Sequence, residues 1–137
     1  MRQSYRKKLE DALWKLLDYA QELNVTVRFI DPRIDMNIWG GMFGYFDCQQ
    51  NQVTVFKGIT TPLRVQHVHT LAHELRHAEQ FKLRMSPTEW LACLGVYPAY
   101  SNARHSQALE DDADQAANEF MIKNKLSVPT AFSEDLV

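Results

Sequence analysis

His73-Glu74-Leu75-Arg76-His77 is the stretch from which the fold and the chemistry of this chain are best read. It lies within an apolar stripe of Leu63, Val68, Leu71, Ala72, Leu75 and Ala78, whose three-and-four spacing predicts a helix. Thr60-Thr61-Pro62 supplies a start signal, since proline is tolerated in a first helical turn. On such a helix His73 and His77 share a face, so both imidazoles can reach one ion at about 2.0–2.1 Å. Glu74 is one step round and reaches a water on that ion rather than the ion itself. The arrangement suits zinc-assisted hydrolysis, in which Zn2+ lowers the pKa of its bound water toward roughly 7 and a carboxylate takes the proton. The same five residues could also fall by chance on a solvated helix face, so the third ligand decides between the two.

A hydrolytic zinc site takes three protein ligands and leaves one position open. The HExxHxxGxxH arrangement is excluded, because Gln80 and Leu83 stand where its glycine and third histidine belong. The remaining option is a carboxylate on a later helix. Glu110-Asp111-Asp112-Ala113-Asp114 supplies one: Glu110 and Asp114 share a helix face, while Ala113, Ala116 and Ala117 are small enough for close helix packing. Glu110 can ligate while Asp114 hydrogen-bonds the far nitrogen of a ligand histidine, which fixes ring orientation. Asp111, Asp114, Glu119 and His105 are alternatives for the third ligand, and the run Asp111-Asp112 reads as solvent-facing. His69, His73 and His77 form a column, but its outer members are about 12 Å apart at about 1.5 Å per residue, too far for one ion. Only the pair His73 and His77 places Glu74 correctly, so His69 reads as structural or supporting, and His67 as exposed or packed.

The rest of the chain predicts one domain, residues 1–137, of α+β class with about four helices and a small antiparallel sheet. Apolar spacing predicts a first helix over about Ser4 to Leu23 and a last one over about Asn102 to Lys125; cap signals at Ser86-Pro87-Thr88-Glu89 predict another ending near Gly95. Val25 to Ile30 reads as a strand, and Tyr45 to Cys48 with Val53 to Phe56 as a hairpin. An exposed edge of that hairpin could align an extended peptide, although the sequence does not say which strand is the edge. Trp14, Trp39 and Trp90 read as core, and Cys48 and Cys93 are too few to be a disulfide framework.

With 137 residues, 45% of them hydrophobic, the chain can furnish a real core. Fifteen basic against seventeen acidic side chains and no long block of one charge give no reason to expect nucleic acid. No apolar run approaches the ~18 residues of a membrane span, and no secretory leader is seen, so a soluble, cytoplasmic protein is expected.

The combination of His73-Glu74-Leu75-Arg76-His77 with Glu110-x-x-Ala113-Asp114 resembles the gluzincins, and the short chain resembles the minimal gluzincins and the ImmA/IrrE-like peptidases. The resemblance runs from about Thr54 to Pro129. It implies a zincin-like domain and a zinc metalloendopeptidase acting on a peptide or protein substrate, with His73, His77 and Glu110 as zinc ligands and Glu74 as the base. Arg76 departs from the pattern, since many such peptidases carry glycine there, and it puts a bulky cation beside the site. Hydrolysis also needs an oxyanion donor, for which His105, Tyr100 and Tyr97 are candidates, with Arg104 available for a substrate carboxylate. A different class is a zinc-binding regulatory module, of anti-restriction or protein-interaction type, whose metal clamps two helices. A further possibility is a latent peptidase whose tail, from Val128 to Val137, covers the cleft.

Overall fold

Ser4 starts the first helix by accepting a hydrogen bond from the Lys7 backbone N–H at 3.1 Å, and α1 runs from Tyr5 to Glu22. The computed structural model describes residues 4–33, 43–83 and 103–129, residues 103–106 by their backbone alone. Leu9, Ala12, Leu16 and Ala20 give α1 its buried stripe. The helix ends on Asn24 at φ 59°, with Asn24 N–H donating to Gln21 O at 3.0 Å and Val25 N–H to Ala20 O at 2.9 Å. This left-handed stop satisfies the last carbonyls and turns the chain into β1, Thr26–Ile30.

The sheet has three strands in the order β1-β3-β2, with β2 spanning Gly44–Asp47 and β3 Gln52–Phe56. β2 and β3 form the expected antiparallel hairpin, whose turn is held by Asp47 Oδ1 accepting from Gln49 N–H at 2.9 Å. β1, however, pairs in parallel with β3, from Thr26 opposite Gln52 to Ile30 opposite Phe56, so the sheet is mixed rather than antiparallel. The reason is visible in β3, where Val53, Thr54, Val55 and Phe56 are all buried. A strand covered on both faces and both edges is central, and its apolar run says nothing about the direction of its neighbours.

The second helix, α2, spans Val65–Lys82 and starts later than Thr60-Thr61-Pro62 suggested. Those residues are used in a turn, closed by Thr61 N–H donating to Gly58 O at 3.2 Å. The last helix, α3, spans Ala103–Lys123. Central in the chain, α2 packs on α3, on α1, and across β3 and β2. Val53, Val55, Val68, Leu71, Leu75, Ala117 and Met121 form the core between them, and fully buried Ala113 and Ala117 let α3 approach α2 closely.

The described residues thus make an α+β arrangement of three helices and a mixed three-stranded sheet. The helix expected after Ser86, together with Trp39, Trp90 and Cys93, lies outside them. Trp14 is 65% exposed and not part of the core, which corrects the expectation for that residue. Cys48 is buried and disulfide-bonded, whereas the cysteine count argued against a bridge. Among the described residues no helix is long and apolar enough to cross a membrane.

Candidate metal centre

α2 carries His73 and His77 on the side turned toward α3, and α3 brings Glu110 against them. Glu110 Oε1 lies 2.8 Å from His77 Nε2, Glu110 Oε2 lies 3.1 Å from His73 Nε2, and the two Nε2 atoms are 3.1 Å apart. A tetrahedral shell with ligands at about 2.0–2.1 Å puts neighbouring ligand atoms roughly 3.3 Å apart, so the three side chains are spaced to share one ion. Among the described residues they form the one group of three or more His, Cys, Asp or Glu side chains so converged.

The chemistry of the donor set calls for a cation. His77 Nδ1 faces Gln80 Oε1 at 2.8 Å, so the ring proton sits on Nδ1 and Nε2 presents its lone pair. Asp114 Oδ1 stands 2.8 Å from His73 Nδ1, an ion-pair contact rather than a well-aligned hydrogen bond, and it likewise favours the proton on Nδ1. Two lone pairs and a carboxylate then face one another at contact distance and repel unless a proton or a metal ion stands between them. The titration behaviour expresses the same demand. Burial lowers the basicity of His77, but the Glu110 carboxylate and neighbouring charges outweigh it and raise its pKa to about 9. Hydrogen bonds from His73 and His77 hold Glu110 far below the ordinary carboxylate range.

Glu74 lies beside this group without belonging to it, its Oε2 3.9 Å from His73 Nε2. Burial pushes its carboxyl above the ordinary range, and the charges of His77 and His73 pull the other way. A carboxylate with raised basicity next to a cation site is suited to accept a proton.

Two clefts meet at this point, both lined by Gly44, His73, Glu74 and Glu110. One, of about 260 Å³, continues along Phe43, Thr70 and Asp114; the other, of about 420 Å³, continues along Tyr45, Phe46 and Leu109. Gly44 makes the approach of β2 to α2 possible: a Cβ there would stand 2.5 Å from Thr54 O and 2.7 Å from Thr70 Cγ2. β3 is the central strand, so among the described residues β2 is the edge strand of the hairpin, and it runs beside the candidate metal centre.

The other expected site residues fall as follows. His69 is buried, bonds Asn118 through Nε2 at 2.8 Å, and is not one of the converged group. His67 accepts from the Arg64 backbone N–H at 2.9 Å at the start of α2. Asp111 and Glu119 are exposed and take bonds from Gln107 and Gln115 on their own helix. Tyr97 and Tyr100 lie outside the described residues, and of Arg104 and His105 only the backbone is described, in the first turn of α3.

Asp112 corrects the expectation of a solvated charge run. Its carboxylate takes Arg76 in a two-point clamp, Nε to Oδ2 at 2.6 Å and Nη2 to Oδ1 at 3.2 Å, and also accepts from Gln80 Nε2 at 2.8 Å. Arg76 Nη1 bonds Glu79, whose other oxygen accepts from the Tyr19 hydroxyl on α1. The cation inside the motif therefore ties three helices together. Gln80 and Asp112 were not among the expected site residues, although Gln80 follows His77 at helical spacing and is a polar side chain in an inward-facing stripe. Comparison with protein-family models, with curated proteins and with solved structures finds no match for this chain.

Proposed function

We propose that this chain is a zinc-dependent endopeptidase of gluzincin type with a zincin-like catalytic domain. The observation that carries the reading is the convergence of His73 Nε2, His77 Nε2 and the Glu110 carboxylate, with the partly buried Glu74 alongside. Two imidazoles and one carboxylate form a ligand set characteristic of catalytic zinc, which keeps a position open for water. The ion, when bound, lowers the pKa of that water and polarises the attacked carbonyl.

The chain's own residues supply the rest. Glu74 accepts the proton of the attacking water, helped by burial that raises its basicity, and returns it to the leaving amine. Among the described residues β2 pairs with β3 alone, so its other edge can offer backbone groups to an extended peptide, and the clefts on either side of Gly44 leave room for substrate side chains before and after the scissile bond. A chain that can pass across the centre in both directions favours an endopeptidase over an enzyme that trims termini. A strand edge unpaired among the described residues likewise favours a peptide over a small molecule.

The test is Glu74→Gln assayed on a peptide library with metal content followed in parallel. Cleavage should fall by about 10²–10⁴-fold while zinc content is retained. If cleavage by the wild type is absent, or unchanged in Glu74→Gln, the zinc serves as a clamp between α2 and α3 and the catalytic reading is wrong.

A further inference from the structure

Gln80 is a fully buried amide one turn beyond His77, and its surroundings allow it only one orientation. Its Nε2 lies 2.9 Å from the Leu109 carbonyl oxygen and 2.8 Å from Asp112 Oδ2. A carbonyl and a carboxylate accept only, so both amide N–H groups must point at them. Both Asp112 oxygens accept from the Arg76 guanidinium, so the oxygen that faces Gln80 is an acceptor. The amide oxygen is then left to face His77 Nδ1 at 2.8 Å, and a carbonyl oxygen can only accept. A proton is fixed on Nδ1, which leaves Nε2, 2.8 Å from Glu110, as the nitrogen that can give up its proton and present a lone pair to an ion.

We infer that Gln80 is a positioning residue for the metal centre, holding His77 in the Nδ1–H tautomer and aiming its Nε2 at the ion; this rests on the reading of His73, His77 and Glu110 as ligands. The support does not end at the amide. Asp112 is held by Arg76, Arg76 by Glu79, and Glu79 by Tyr19, so a ligand on α2 is locked by groups on α3 and α1. The amide is also the right group for the place. A carboxylate, common behind a metal-bound histidine, would accept from His77 but would set acceptor against acceptor at Leu109 O and Asp112. An apolar side chain would leave Nδ1 without a partner and the ring free to turn.

The experiment measures zinc affinity by chelator competition on the full chain, for the wild type, Gln80→Leu and Asp112→Asn, with histidine-ring NMR of the zinc-loaded proteins. Zinc affinity should drop about 10–100-fold in Gln80→Leu. Asp112→Asn, which preserves volume and no longer dictates the orientation of the Gln80 amide, should show a smaller loss in the same direction. The His77 Nδ1–H signal should exchange slowly with water in the wild type and rapidly in Gln80→Leu, a readout that general loosening of the fold does not move selectively. If Gln80→Leu fails to fold, Asp112→Asn and the wild-type ring spectrum carry the test. A wild type that takes up no zinc overturns the reading of the centre itself. A wild type that binds zinc, with both variants binding within twofold and the Nδ1–H signal unchanged, overturns the role of Gln80 alone.

Discussion

His73 and His77 sit one turn apart on α2 and face the same carboxylate, yet the regions behind them are built differently. Behind His77 everything is protein: a fully buried amide, then Asp112, Arg76, Glu79 and Tyr19, each bonded to the next. Behind His73 stands Asp114, 49% exposed along its side chain and reachable by water. A motif that treats its two histidines as equals thus folds into one candidate ligand fixed by packing and one steadied by a solvated charge. The difference teaches that ligand geometry here is set by the interface between α2 and α3 as much as by the five residues of the motif.

The largest effect expected from breaking this asymmetry is on the protein-facing side. Arg76→Ala removes the partner of two half-buried carboxylates and should cost about 1–3 kcal/mol in urea unfolding, where charged hydrogen bonds of this kind fall. A change within about 0.5 kcal/mol, the range of ordinary surface substitutions, would show that the network contributes nothing to the helix interface. On the solvent-facing side the effect should be smaller. Asp114→Asn is expected to weaken zinc binding by about tenfold or less, because water can replace an exposed partner, and by less than Gln80→Leu does. The reverse order in chelator competition would refute the comparison.

A third histidine on α2 sharpens the contrast with the smallest effect. Burial, with Lys57 and Arg64 nearby, depresses the pKa of His67 from the ordinary 6.5 to about 4. The unfolded chain therefore takes up this proton first, so the stabilising contribution of neutral His67 is fully present above pH 6.5 and is lost as pH falls toward 4. His67→Asn keeps an acceptor for the Arg64 N–H but cannot titrate. Its stability should fall less steeply across that window, by about 1 kcal/mol per pH unit or less, measured as denaturant midpoints against the wild type. Parallel curves would mean that His67 titrates normally.

Much of this architecture is local and was therefore legible in the sequence. Apolar spacing marks α1, α2 and α3, β-branched runs mark β1 and β3, and the polar turn from Gln49 to Gln52 marks β2 as the partner of β3. The parallel pairing of β1 with β3 was not legible, since strand direction depends on which edge is free when the chain returns. At the site, the His73 and His77 spacing and the Glu110 to Asp114 spacing identify groups that the structure brings to one place. What lies behind them was hidden for a physical reason. Asp112 sits in a run of acids that would be solvated on an isolated helix, and only the approach of Arg76 from α2 draws it inward. Gln80 reads as the absence of a glycine until Leu109 and Asp112 show which way its amide must point. Arg76 looked like an obstruction because the sequence does not say that it turns toward Asp112 and Glu79 rather than toward the clefts.

The central claim is that His73, His77 and Glu110 hold one metal ion, and it is tested most directly by zinc content after exchange into metal-free buffer. The wild-type chain should retain one zinc per molecule, and His77→Ala and Glu110→Ala should each lose it. A wild type that holds none, or variants that hold as much as the wild type, would contradict the account.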